Sequence, residues 1–394
     1  MASNFKKIIR QKILNPLSVF IHDSRSIGIL LLSCTAISLI ISNLSFGQRF
    51  LDILNEEIPI LHSLHLPHSP LHFINDGLMA LFFFLAGMEI KRELINGELA
   101  TAKKAALPAV AAIGGMIVPA VLFSLFNKGT VYSSGWAIPT ATDIAFSLGV
   151  ASLLGKRVPV ALKIFLTALA IIDDLGAIIV IALFYGGAIK VLFLLGSAGI
   201  TGVFLLLNKY RKKFGALHVV LALLLWYCMF NSGIHATVAG VIFAFLIPPH
   251  LLSKFELRFH IPVYFIVMPV FALANTAIIF PEDITGALGS SLSWGIITGL
   301  FIGKPLGITL ACYWLVKSGR AELPSGVNWL QMIGAGLLAG IGFTMSIFIS
   351  SLAYTDNTTK DISKISVLVA SLLAIVTGYL WLKYASSNNK LHAE

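Results

Sequence analysis

Four ionisable residues stand where an apolar chain should have none. Asp143 lies in GWAIPTATDIAFSLG, Asp173 and Asp174 in ALAIIDDLGAI, and Lys304 in FIGKPLGI. Each falls inside a run long enough to cross a bilayer, where a charge costs about 2.5–3.5 kcal/mol on insertion scales and usually faces a bundle interior or a watered path. A single structural ion pair would account for Lys304 and one acid. Three acids against one base leave carboxylates over, and these must hold protons or a cation. Holding each in turn is an exchange mechanism. Asp173 and Asp174, adjacent on a helix, point about 100° apart, so one aims at a given crossing point while the other lines its flank. They titrate as a coupled pair.

The segment around Asp143 adds backbone chemistry. Pro139 removes an intrahelical hydrogen bond and biases Ile138 toward extended geometry, while Thr140, Thr142 and Asp143 suit the N-cap of a resumed helix. An interrupted helix is therefore expected near 138–142, with freed carbonyls and hydroxyls able to coordinate a hard cation. Backbone of that kind is tolerated at membrane depth only inside protein or along a cavity. A plain proline kink is the simpler alternative.

These residues need a polytopic frame, and the composition supplies one. The chain has 394 residues, 57% of them apolar and 12% charged, with mean hydropathy +0.89. An ordinary cytosolic globule and a disordered chain are both excluded. Apolar runs predict twelve transmembrane helices, near 26–46, 71–90, 105–126, 133–153, 160–185, 191–207, 215–230, 233–247, 261–279, 294–315, 331–353 and 363–382. The expected fold is all-α, a single transmembrane domain over 1–394. Residues 1–25 form a cytoplasmic N-terminal segment, 47–70 a periplasmic loop and 383–394 a cytoplasmic tail.

With both termini in the cytoplasm, 22 of the 28 Lys and Arg fall on the inner side. Five fall outside, namely Arg49, Lys128, Lys190, Lys360 and Lys364, and Lys304 is intramembrane. That separation follows the positive-inside rule, so the net charge of +10 calls for a lipid bilayer as partner and no nucleic acid. Cys34, Cys228 and Cys312 lie far apart in apolar stretches, so neither a disulfide framework nor a thiolate metal site is indicated.

Span eleven reads GAGLLAGIGFTMSIF, with Gly334, Gly336, Gly340 and Gly342. Repeated small residues allow close helix packing. A second interrupted segment at the position matching span four also points to inverted repeats, here spans three to five and ten to twelve, with two interrupted helices crossing near the midplane. Asp143 and Lys304 stand where the opposed half-helix ends need compensating charge.

The stretches NDGLMALFFFLAGMEIKREL from Asn75, PTATDIAFSLG from Pro139, ALAIIDDLGAI from Ala168, FIGKPLGI from Phe301 and AGIGFTMSIFI from Ala339 resemble, in order, the NhaA-type sodium/proton antiporter family of bacterial inner membranes. The resemblance implies no enzyme and no cofactor. It implies an electrogenic antiporter that extrudes Na+ or Li+ in exchange for H+, activated at alkaline pH and assembled as a homodimer. By the same carry-over Asp173 and Asp174 bind the cation and the protons, Thr142 and Asp143 belong to the broken-helix crossing, and Lys304 pairs with Asp173 when sodium is absent. Glu89, Arg92, Glu93, Glu256 and His260 match the family's pH-responsive region, with His235 and Asp76 as further positions linked to pH response. Leu257 stands where well-studied members tend to have a histidine. Residues 47–70 lack a clear hairpin turn, whereas the family often carries a β-hairpin there. A sodium-coupled solute symporter is the alternative function; an aspartyl protease would want a GxGD-like signature, which IIDDLGA is not, and a passive cation channel would conduct without proton exchange.

His62, His65, His68 and His72 crowd eleven residues of the expected outer loop. Imidazoles so spaced can bind Zn2+ or Cu2+, but Pro67 and Pro70 prevent one helix from presenting them together. A solvated loop that gains charge below about pH 6.5 is the expectation.

Overall fold

The computed structural model describes residues 24–210 and 214–391. The N-terminal segment as far as residue 23, the basic residues Arg211, Lys212 and Lys213, and residues 392–394 lie outside them. Helices account for nearly all of the described chain: α1 (Ser24–Ser42), α2 (Pro70–Asn96), α3 (Ala102–Asn127), α4 (Ile144–Leu153), α5 (Val160–Phe184), α6 (Val191–Lys209), α7 (Ala216–Asn231), α8 (Thr237–Leu246), α9 (Pro249–Asn275), α10 (Ser291–Lys317), α11 (Trp329–Ala339), α12 (Phe343–Ala353) and α13 (Asn357–Leu391). Eight of these helices are long and apolar enough to cross a membrane, and α11 with α12, bent by 44° at their break, makes a ninth. The shorter apolar helices α7 and α8, and the divided segment 133–153, complete the twelve expected from hydropathy.

Boundaries differ most at span nine. The helix begins at Pro249, with proline at its first turn, twelve residues before the apolar run starts. Lys254, Glu256, Arg258 and His260 interrupt that run in sequence without interrupting the helix, because backbone hydrogen bonding is indifferent to side-chain polarity and Glu256 finds a cationic partner on α2. Span four differs in kind. Its first half, Ser133–Thr140, is a 3-10 helix that contains both Ile138 and Pro139. Extended backbone falls at Ala141 and Asp143 instead of Ile138. Thr140 Oγ donates to the Ala137 carbonyl at 2.8 Å and closes the last 3-10 turn.

Widened π-turns interrupt three of the long helices, at Ile74–Leu78 in α2, Val263–Val267 in α9 and Gly299–Gly303 in α10. Such turns are rare and recur at functional sites. Asp76 lies within the first, and Lys304 follows directly on the third. Hydropathy does not reveal them, since one extra residue per turn leaves composition unchanged.

One large apolar core runs through the helices around the two breaks. Two smaller clusters, Phe204 with Leu221 and Leu246, and Leu225 with Met229 and Ala239, hold α6, α7 and α8 to one another. The most apolar window of α6 is only 11% buried, which leaves most of its surface for lipid. Between Gly47 and Ser63 the connecting loop carries two short helices, Gly47–Asn55 and Pro59–Ser63, and no hairpin. The three cysteines are free.

Small residues set the spacing of the central helices. Gly114 of α3 and Gly307 of α10 approach so closely that a side chain on either would strike the other's carbonyl. Gly336 of α11 lies over Pro305 of α10, where an added Cβ would stand 2.8 Å from the proline Cα. Backbone cannot swing aside as a flexible side chain can. Gly336→Val is expected to cost about 1–3 kcal/mol of stability and to lower the melting temperature of the detergent-solubilised protein; an unchanged transition would show that α10 and α11 separate freely.

Candidate functional site

The two breaks cross, and each supplies what the other lacks. A helix leaves its last carbonyls and first N–H groups without internal partners, and in an apolar interior each such group must be satisfied by protein. From the first segment, Ser147 Oγ donates to the Leu338 carbonyl at 2.7 Å, Thr142 Oγ to Ala339 at 2.8 Å and the Asp143 N–H to Ile341 at 2.7 Å. From the second, Ser346 Oγ donates to the Ile138 carbonyl at 2.7 Å. Ser147 and Ser346 each occupy the fourth residue of the helix that resumes after its break, so the exchange has an approximate two-fold character.

Asp143 sits between the two resumed helices. Its carboxylate accepts the Phe146 N–H at 3.1 Å, capping α4 as the sequence suggested. The same carboxylate accepts the Thr344 N–H at 3.2 Å and the Thr344 hydroxyl, capping α12 as well. Two helix N-termini, each carrying roughly half a positive charge, thus share one acid that is 2% exposed. Thr344 was not singled out in the sequence, although a threonine two residues after the GIG break was the available signal.

Lys304 and Asp173 form a fully buried ion pair, and Lys304 Nζ also donates to Thr142 Oγ at 2.8 Å. Through that hydroxyl the lysine's charge is coupled to the Ala339 carbonyl at the C-terminal end of α11. An acid thus meets two helix N-termini, and a lysine reaches a helix C-terminal carbonyl through Thr142. Asp174 points elsewhere. It lines a small cavity with Glu89, Asp143, Tyr264, Met268 and Thr344, whose volume of about 10 Å3 is near that of one water probe. Asp173 Oδ1 and Asp174 Oδ1 are buried and accept no hydrogen bond. Among the described residues no three acids, histidines or cysteines converge closely enough to hold a metal ion, so with Lys304 seated on Asp173 the acids do not form a cation cage.

Glu89, Arg92, Glu93 and Glu256 are brought together. Arg92 pairs with Glu256 across the α2–α9 interface and with Glu93 at 2.9 Å, and Glu93 accepts the Glu98 N–H at 3.0 Å beyond the end of α2. His260 packs against the Tyr264 ring at 4.8 Å. Tyr264 and Glu89 both reach the Asp174 cavity, so the cluster and the acids meet at one wall. Tyr264 carried no sequence signal. His235 and Asp76 lie apart from this group. His235 donates from Nε2 to the Tyr185 carbonyl at 2.6 Å, a packed and bonded histidine. Asp76 Oδ2 lies 2.9 Å from His72 Nε2, and Leu257 is an exposed surface residue.

The profile of the family described as Na+/H+ antiporter 1 matches residues 18–382. The chain belongs to that family. It is 46% identical over 370 residues to the Na(+)/H(+) antiporter NhaA of Cytophaga hutchinsonii, covering 92% of this chain and 94% of that one. It is 43% identical over 396 residues to Na(+)/H(+) antiporter NhaA 2 of Clostridium beijerinckii, covering 98% of each. Over 391 residues it is 44% identical to the NhaA antiporter of Dechloromonas aromatica, covering 96% of this chain and 98% of that one. Near-full-length matches of this kind make the chain a multi-pass membrane transporter of the bacterial NhaA type.

Removing Lys304 alone leaves Asp173 buried without its partner. Lys304→Ala is expected to destabilise the protein by about 3–5 kcal/mol, whereas the volume-conserving pair Asp173→Asn with Lys304→Met should recover most of that loss. Thermal unfolding of both variants checks the point; equal destabilisation in the two would show that the charge itself is not what Asp173 requires.

Proposed function

We propose that this protein exchanges Na+ or Li+ for H+ across the bacterial inner membrane, extruding the cation and admitting more than one proton per cycle. The observation that carries the reading is the Lys304–Asp173 pair beside an acid with a free oxygen. An ammonium and an alkali cation compete for the same carboxylate. When Na+ enters, Lys304 must leave Asp173, and the freed Asp173 oxygens together with Asp174 become its ligands. Protons take the place of the cation on the return, since bare carboxylates cannot remain unpaired at this depth. Thr142 and Asp143 hold the crossing open to this exchange without losing their caps, because their partners are the opposite segment's backbone.

The proposed orientation has both termini and the Glu89–Arg92–Glu93–Glu256–His260 cluster on the cytoplasmic side, as the basic-residue count supports, with the 47–70 loop outside. In that placement the cluster, one wall away from Asp174, is the proposed site of activation at alkaline pH. A homodimer belongs to the same reading, formed through surfaces other than a loop hairpin.

Everted membrane vesicles with an acid interior provide the test. Adding Na+ or Li+ alone should dissipate the pH gradient, and Asp174→Asn should abolish the response while the protein still inserts. A strict need for an organic solute would favour the sodium-coupled symporter, and cation flux without proton movement would favour a channel.

A further inference from the structure

We propose that His68 and His72 form a proton-delivery chain that loads Asp76 from the outer face. It rests on the antiport reading above, which requires protons to enter from that side. The three residues are spaced by four, and the structure turns that spacing into contact. Ser69 caps the first turn of α2 by accepting the His72 N–H at 3.2 Å, and Pro70 occupies the first helical position. His72 and Asp76 thereby stand one turn apart on one face, His72 Nε2 lying 2.9 Å from Asp76 Oδ2. His68 precedes the cap, held by its carbonyl, which accepts the Ile58 N–H at 2.8 Å. Its Nδ1 lies 3.3 Å from the Nδ1 of His72. The other nitrogen of His68 faces Glu57 at 3.7 Å, and Glu57 is 75% exposed.

The hydrogen-bond directions follow from the last acceptor. Ionised Asp76 can only accept, so His72 carries its proton on Nε2 and, while neutral, accepts at Nδ1. His68 must then donate from Nδ1 and presents a lone pair at Nε2 toward Glu57 and solvent. A proton arriving at His68 Nε2 makes that ring cationic. The Nδ1 proton passes to His72 Nδ1, and the Nε2 proton of His72 passes to Asp76. One proton enters and one reaches the carboxylate, with both rings left in the opposite tautomer; ring rotation resets them.

The surroundings suit a collecting site. His68 opens on a cavity of about 560 Å3 whose wall also carries Asp52, Glu57, Lys360, Asp361 and Lys364, so acids and bases are mixed there. His62 stands 6.1 Å from the His68 ring. On the far side the Phe230 ring packs at 5.4 Å from His72, Trp226 Nε1 donates to the Asp76 carbonyl at 2.8 Å, and Tyr227 bonds the Leu64 carbonyl at 3.3 Å. Side-chain exposure falls along the chain, from 36% at His68 to 30% at His72 and 13% at Asp76. His68 and His72 keep the expected partial exposure and, beyond that expectation, are bonded to one another.

The experiment uses the full chain in right-side-out membrane vesicles loaded with Na+, with sodium efflux followed at fixed bath pH while bath buffer concentration is varied. The parent should be independent of buffer, because the chain supplies protons faster than the cycle uses them. His72→Gln and His68→Gln should each become buffer-limited and recover when imidazole is added to the bath, whereas His62→Gln should behave as the parent. A parent already limited by buffer, variants as fast and as buffer-independent as the parent, or slow variants that neither buffer nor imidazole restores would each overturn the proposal. Because the parent measurement needs no substitution, a variant that fails to insert leaves it decisive. No sodium efflux from the parent at any buffer concentration would instead sink the antiport reading itself.

Discussion

Unsatisfied backbone at membrane depth is the constraint from which the centre of this protein is built. Two helices that stop and resume in an apolar interior expose carbonyls and N–H groups that no solvent can reach, and each would cost several kcal/mol if left alone. The crossing solves both breaks at once. Ser147, Thr142 and the Asp143 N–H satisfy carbonyls of the second segment, and Ser346 satisfies one of the first. Each break therefore draws hydrogen-bond partners from the other. The crossing thereby ties the two backbones together through short hydroxyl side chains, while the Lys304–Asp173 pair touches it only through Thr142.

Charge follows from the same geometry. Asp143 accepts three hydrogen bonds, from the Phe146 and Thr344 N–H groups at two helix N-termini and from the Thr344 hydroxyl, so it is the acid least free to take a cation. Asp173 is held by the buried Lys304, and among the described residues Asp174 makes no ion pair and its Oδ1 accepts no hydrogen bond. The three carboxylates therefore differ in how firmly they are partnered, most at Asp143 and least at Asp174. A lysine suits the middle position because its ammonium is a compact point charge on a flexible stem. An arginine fork would fix Asp173 in two-point contact and hinder its release.

Much of this was legible before any coordinates. Four charges in apolar runs, Pro139 before Thr142 and Asp143, and the glycines of span eleven located the crossing, because burying a charge or breaking a helix in a bilayer leaves a compositional mark. What lacked such a mark was missed. Thr344 and Tyr264 are ordinary membrane residues until folding sets them beside Asp143 and Asp174. The π-turns alter geometry without altering hydropathy. The start of α9 was misjudged because its charges lie at an interface with α2, where Arg92 meets Glu256. The histidine cluster reads in sequence as a solvated loop, because the four-residue step from His72 to Asp76 becomes a contact only once a helix starting at Pro70 sets both on one face.

α2 ties these features together. Asp76 stands near its first turn, Glu89 on the wall of the Asp174 cavity, and Arg92 with Glu93 in its last turns. At 1.5 Å per residue its 27 residues extend for about 40 Å, enough to traverse the hydrocarbon core with both ends in the interface. One helix therefore carries titratable groups at both faces and at the level of the acids between them. The π-turn at Ile74–Leu78 adds a residue to the turn that holds Asp76, so the position of that carboxylate relative to Glu89 depends on a locally widened helix. Any movement that tightened this turn would rotate Asp76 against the rest of α2 while His72, before the turn, stayed on its cap at Ser69. The contact between His72 and Asp76 therefore depends on the widened turn that lies between the cap and the carboxylate.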